Sequence, residues 1–148
     1  MSRSPLEVDF ACVQAGLDDV RTLLPAALQR IRAAAPDAKI VVANYYNPFL
    51  AAYLAGPSGQ VLAAQSVVLQ AQLNGIIAAA ASSVGADVAD VATASKSSDT
   101  TPLALPGVGS VPTNVATICT WTWMCQLTDI HANDTGYAVM ADTVAGRL

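Results

Sequence analysis

Histidine occurs once in this chain and cysteine three times, and charge is sparse, with seven basic and eleven acidic residues among 148. Each scarcity excludes a class of chemistry. One histidine and no Cys-x-x-Cys pair leave no zinc-ligand set. A net charge of -4 leaves no basic face for a phosphate backbone, which excludes a nucleic-acid partner. Gly107-Val108-Gly109 lacks the third glycine and the strand–helix frame of a dinucleotide loop, and there is no P-loop, so no cofactor is expected. No Gly-x-Ser-x-Gly turn is present to lift a serine nucleophile. Met1-Ser2-Arg3-Ser4-Pro5 carries no apolar run, so no signal peptide is read there. No charge falls between Lys39 and Asp87, yet Asn44, Asn47-Pro48 and Gly56-Pro57-Ser58-Gly59 break that span, and Gln65, Gln70, Gln72 and Asn74 interrupt its second half. A membrane helix needs about 20 predominantly apolar residues, so no integral membrane segment is expected.

What is present is apolar. Hydrophobic residues make up 53% of the chain, enough for a globular core and against disorder, although much of that share is alanine, which favours helices more than it fills a core. The length suits a single domain over residues 1–148.

Periodicity divides the chain into helices and strands. Leu6 to Phe10 alternates weakly, as a short strand or an irregular lead-in, and Gly16 then breaks it. Leu17, Val20, Leu24, Leu28 and Ile31 form one helical face, with Asp18 and Asp19 at the positive end of the dipole and Arg30 and Arg32 at the negative end. Pro25 should kink that helix or restart it. After the turn Ala35-Pro36-Asp37, the β-branched run Lys39 to Ala43 predicts a strand buried on both faces. Asn44, Tyr45, Tyr46 and Asn47 follow at its C-terminal end, where parallel sheets bind ligands. They are candidate pocket residues or polar groups satisfying a turn. Gln60 to Val84 reads as a helix with Val61, Leu62, Val68, Leu69, Leu73, Ile76 and Ile77 inside, the glutamines outside, and Gly85 as its cap. Asp87 to Ala92 predicts a second strand. Strands alternating with long helices imply βαβ units and a parallel sheet. Thr93 to Pro112 reads as one long irregular connection.

The functional candidate is Thr128-Asp129-Ile130-His131-Ala132-Asn133-Asp134-Thr135-Gly136-Tyr137. It holds the only histidine, with a carboxylate two positions earlier. Asn133 is a good N-cap, Asp134 suits a helix N-terminus, and Tyr137, Met140, Ala141 and Val144 recur at helical spacing. His131 is thus expected on a loop just ahead of a packed terminal helix, a firm mount for a group that exchanges protons near neutral pH.

Together with Val41-Val42-Ala43-Asn44-Tyr45-Tyr46-Asn47-Pro48-Phe49, Leu105-Pro106-Gly107-Val108-Gly109 and Ile118-Cys119-Thr120-Trp121-Thr122-Trp123-Met124-Cys125, this block resembles the SGNH (GDSL-type) esterases and lipases of the secreted actinobacterial type, from about Ala11 to the end. The resemblance implies a flavodoxin-like three-layer α/β/α fold, here partial and with a short parallel sheet. It implies a Ser-His-Asp triad in which His131 deprotonates the nucleophile and Asp129 orients the ring. The usual spacing is Asp-x-x-His, whereas here it is Asp-x-His, with Thr128 at the position three before His131. The family's Gly-Asp-Ser nucleophile block and oxyanion glycine are not found, and Leu6-Glu7-Val8-Asp9 matches the end of its Gly-x-Asn-Asp block only at Asp9. Ser2 and Ser4 stand in no context that positions a nucleophile. The expectation is therefore the His–Asp half of a triad, nearly inactive alone, acting in the family on a small-molecule or lipid ester. The alternative is a non-catalytic relative that serves as a structural or binding domain. The implied location is extracellular, the implied pairing is Cys119 with Cys125, leaving Cys12 over, and the reading without the resemblance is three reduced thiols. A sheet edge lacking its family neighbours invites self-association. Trp121 and Trp123 cap the core or form an apolar wall beside His131.

Overall fold

A computed structural model describes residues 8–148. Ser2, Ser4 and the front of the weak alternation at Leu6 and Glu7 lie outside the described residues. The elements in order are α1 (Phe10–Ala34), β1 (Val41–Ala43), a 3-10 segment (Pro48–Ala55), α2 (Pro57–Ser82), β2 (Asp87–Ala89), α3 (Val91–Ala94), β3 (Pro102–Leu105), β4 (Gly109–Pro112), α4 (Thr113–Trp121), α5 (Met124–Leu127) and α6 (Asp134–Ala145).

The helix α1 starts earlier than the pattern predicts. The Asp9 side chain accepts the Cys12 N–H and caps it, so Phe10 is helical and Gly16 lies inside the helix. Asp18 is then a mid-helix residue, paired with Arg21 and Gln14. Pro25 removes one internal hydrogen bond but does not end the helix. Leu17 and Leu28 are buried. Arg32 anchors the far end by donating to the carbonyls of Pro36, Ala38, Val84 and Gly85.

β1 and β2 pair in parallel, Val42 opposite Val88, and α2 is the crossover between them. The molecule is therefore mixed helix and strand with a short parallel sheet, as the alternating pattern implies. The expectation of a strand buried on both faces fails for β1, whose three residues are all half-buried, because the sheet has two strands and β1 only one partner among the described residues. β2 ends at Ala89, since Asp90 caps α3 through the Thr93 N–H.

In α2, Ile76 and Ile77 are buried as predicted, but Val61 and Val68 are each 58% exposed. The helix is apolar on nearly every face, so its buried side cannot be read from period alone; Gly59, Ala63 and Ser66 form it where the 3-10 segment crosses. A Cβ on Gly59 would meet the Ala52 carbonyl at 2.0 Å. By length and composition α2 is the one helix among the described residues able to cross a membrane, a property it shares with core helices.

The stretch read as irregular begins inside α3, whose first half the sequence pattern assigns to a strand, and contains an antiparallel hairpin, β3 with β4, in which Pro102 faces Pro112. Prolines at both open ends and Gly107 and Gly109 at positive φ hide its strand signal, because they read as breakers. The core lies behind it: Leu50, Val111, Val115, Ala116 and Ile118, with Tyr46, Tyr53, Val67 and Met124 packed around them.

Candidate functional site

The loop that carries Asp129 and His131 is held from both sides. Upstream, α4 ends at Trp121, and the Cys119–Cys125 disulfide ties its last turn to α5. That pairing is the one the resemblance implies. Cys12 is exposed and unpaired. Thr122, almost wholly buried, donates to the Ile118 carbonyl and accepts the Met124 N–H. α5 stops at Thr128, whose φ of 56° is left-handed and turns the chain outward. Downstream, Thr122 and Ala132 form an antiparallel bridge: the Trp123 N–H donates to the His131 carbonyl at 3.0 Å and the Asn133 N–H to the Trp121 carbonyl at 2.9 Å. Asn133 caps α6 as predicted, accepting the Gly136 N–H, and its amide donates to the Thr120 carbonyl. Gly136 seats α6 against α4, for a Cβ there would meet the Trp121 carbonyl at 2.2 Å. The predicted face of α6 holds in part: Met140 and Val144 are half-buried, but Tyr137 and Ala141 are exposed, and Gly136 and Val139 face the interior instead.

Asp129 and His131 meet within this frame. One carboxylate oxygen, Oδ1, lies 2.5 Å from His131 Nδ1 and also accepts the His131 N–H at 3.0 Å. The backbone hydrogen bond from His131, and then the one from its ring, hold the Asp129 carboxyl below its ordinary 3.8. An ionised carboxylate only accepts, so the ring nitrogen facing it, Nδ1, carries a proton, and in the neutral form of the ring Nε2 holds the lone pair. The His131 side chain is 69% exposed. The two predicted residues are thus brought together at Asp-x-His spacing, because an Asx turn lets Asp129 reach both the backbone and the ring of the residue two ahead.

No hydroxyl or thiol among the described residues hydrogen-bonds to the ring. A cavity lined by Tyr46, Val91, Ile118, Ala132, Val139 and Met140 holds about 10 Å³, room for one water at most. His131 does not line it. A wider groove of about 540 Å³ runs between α1 and α2 past Arg21, Pro25, Gln29, Gln72 and Ile76, away from the Asp129–His131 pair. Among the described residues no cluster of side chains can hold a metal ion.

Of the candidate pocket residues after β1, two satisfy a turn. The Asn44 amide donates to Asp90 and its oxygen accepts the Ala92 N–H. Asn47 is buried and donates to Ser66. Gln70, expected outside, turns in with Asn74 to hold the Tyr45 backbone. Tyr46 alone reaches the site: its hydroxyl donates to the Ile130 carbonyl at 2.8 Å. Burial pushes the Tyr46 phenol above its ordinary 10.0, and the Tyr137 phenol beside it adds to the rise. Two adjacent tyrosines give no sequence signal for which one points inward. Compared with known proteins, the chain matches no family model, no curated protein and no solved structure.

Proposed function

We propose that Asp129 and His131 are the acid–base half of a serine-esterase site of SGNH type, acting on carboxylic esters. The observation that carries this reading is the double use of Asp129 Oδ1, which fixes both the ring and the backbone of His131. In the reaction, Nε2 takes the proton from an attacking hydroxyl or water and returns it to the leaving alkoxide, while Asp129 stabilises the imidazolium. Among the described residues none is assigned as the nucleophile or as an oxyanion donor. The same proposal extends to the fold. The β1–α2–β2 unit is part of a flavodoxin-like three-layer sheet, and the open edge of β1 is where further strands or a second copy add. The disulfide supports an oxidising, extracellular setting.

A second reading, a structural or binding domain without catalysis, is favoured by the bare ring and the cavity of about 10 Å³. p-Nitrophenyl ester turnover with fluorophosphonate labelling separates the two. Against an activated ester the pair still activates water. The esterase reading therefore predicts slow hydrolysis that His131→Ala lowers about a hundredfold. Any labelled serine should lose its label in the same variant. A folded monomer with neither His131-dependent turnover nor label overturns it.

A further inference from the structure

Tyr46 stands at the end of a rigid support that the chemistry above does not use. Every residue around it is clamped. Asn44 bonds to Asp90 and Ala92, the Tyr45 N–H and carbonyl are held by Asn74 and Gln70, and Asn47 is bonded to Ser66 and to the Phe49 N–H. Three elements, α2, α3 and the 3-10 segment, thus fix the backbone from which the Tyr46 ring projects, and the ring itself packs on the main core. The opposite loop has no such frame between Thr128 and Ala132. Its own bonds are the Asp129–His131 pair and the single strand-like bridge at Ala132.

We propose that Tyr46 is a positioning residue that holds Asp129 and His131 in register through its hydrogen bond to the Ile130 carbonyl. Ile130 is the residue between the two, so its peptide orientation sets how far the carboxylate lies from the ring. The role rests on reading Asp129–His131 as a working acid–base pair, but its test does not require turnover.

His131 is the only histidine, so its ring resonances assign themselves in a nitrogen NMR spectrum. The wild-type ring should be mainly in the Nδ1–H form. Tyr46→Phe keeps the ring packing and removes the hydroxyl. It should move the tautomer balance toward the Nε2–H form that an unpaired ring favours. It should also speed exchange of the His131 amide about five- to tenfold, the size expected for one lost hydrogen bond. Asp129→Asn sets the full scale of the tautomer change. Wild-type behaviour in Tyr46→Phe, with a shift in Asp129→Asn, overturns the role. No shift in Asp129→Asn overturns the pair and this role with it. If Tyr46→Phe does not fold, Gln70→Ala with Asn74→Ala loosens the Tyr45 backbone and leaves the phenol in place. A smaller shift in the same direction then supports the role, and wild-type behaviour overturns it. A shift without any ester turnover leaves Tyr46 in its role and removes the esterase reading.

Discussion

The two ends of the chain are built on different terms. α1 rests mainly on α2, buries Leu17 and Leu28, and leaves Phe10, Leu23 and Ile31 half or more exposed. The region from Thr113 to Gly136 is the reverse: Thr113 to Ala116, Ile118, Thr122, Ala132 and Gly136 are buried, and a disulfide and a strand-like bridge cross-link it. Burial and cross-links are concentrated where the histidine loop is mounted. Local opening in the helices therefore belongs to α1, and the exposed acid–base loop is mounted on the better-packed part.

The contrast breaks most visibly in the core. Ile118→Ala, at a fully buried position, should cost about 3 kcal/mol in urea unfolding, whereas Leu23→Ala, at 64% exposed, should stay within about 0.5 kcal/mol. Equal effects would mean that the two ends are equally packed. The glycines sharpen the contrast, because one substitution should change sign. Gly136→Ala drives a methyl into the Trp121 carbonyl and should destabilise by about 2–3 kcal/mol. Gly16→Ala meets no atom within 4 Å in a helix interior and should stabilise by about 0.5–1 kcal/mol. Reducing Cys119–Cys125 opens a loop with a sequence separation of 6, which the chain-entropy relation values at about 2 kcal/mol. Hydrogen exchange should then rise from Thr122 to His131 and not in α1.

The smallest effect is set by pH. The Asp129 carboxyl is held below its unfolded value, so its contribution is fully present above the ordinary carboxylate range. It is lost as pH falls through the lower native value. Protection of the His131 amide, corrected for intrinsic exchange, should persist into mild acid and drop only at the acid end. Asp129→Asn should remove that dependence, and a drop near neutral pH would contradict the assignment.

Much of this architecture could be read along the chain. The run at Lys39–Ala43, the breaker at Gly56-Pro57, the helix read over Gln60–Val84 and the strand read from Asp87 are local signals, and each has its counterpart, in β1, the start of α2, α2 and the shorter β2. So do Asn133 as a cap and the closeness of Asp129 and His131, since an Asx turn needs only two intervening peptide groups. The misses share one cause. Gly16 and Pro25 read as breaks, yet a single cap at Asp9 and a partner helix carry α1 through both. Val61 and Val68 read as interior because a helix apolar on every side has no preferred face until a neighbour chooses one. The hairpin from Pro102 to Pro112 was hidden by its own prolines. Gln70 and Tyr46 act on residues distant in sequence, which no period reports.

By itself the sequence determined the order from the first helix through the two parallel strands, the lack of metal-ligand and phosphate-binding motifs, and the placing of the one imidazole just before a capped helix. These follow from backbone propensity and near-neighbour hydrogen bonds, which act over a few residues. Tertiary structure alone decided which side of α2 is buried, which tyrosine reaches the Ile130 carbonyl, and how small a cavity lies under Ala132. Those outcomes depend on groups brought together across 19 to 84 positions of chain. Packing and long-range hydrogen bonds have no local pattern to announce them.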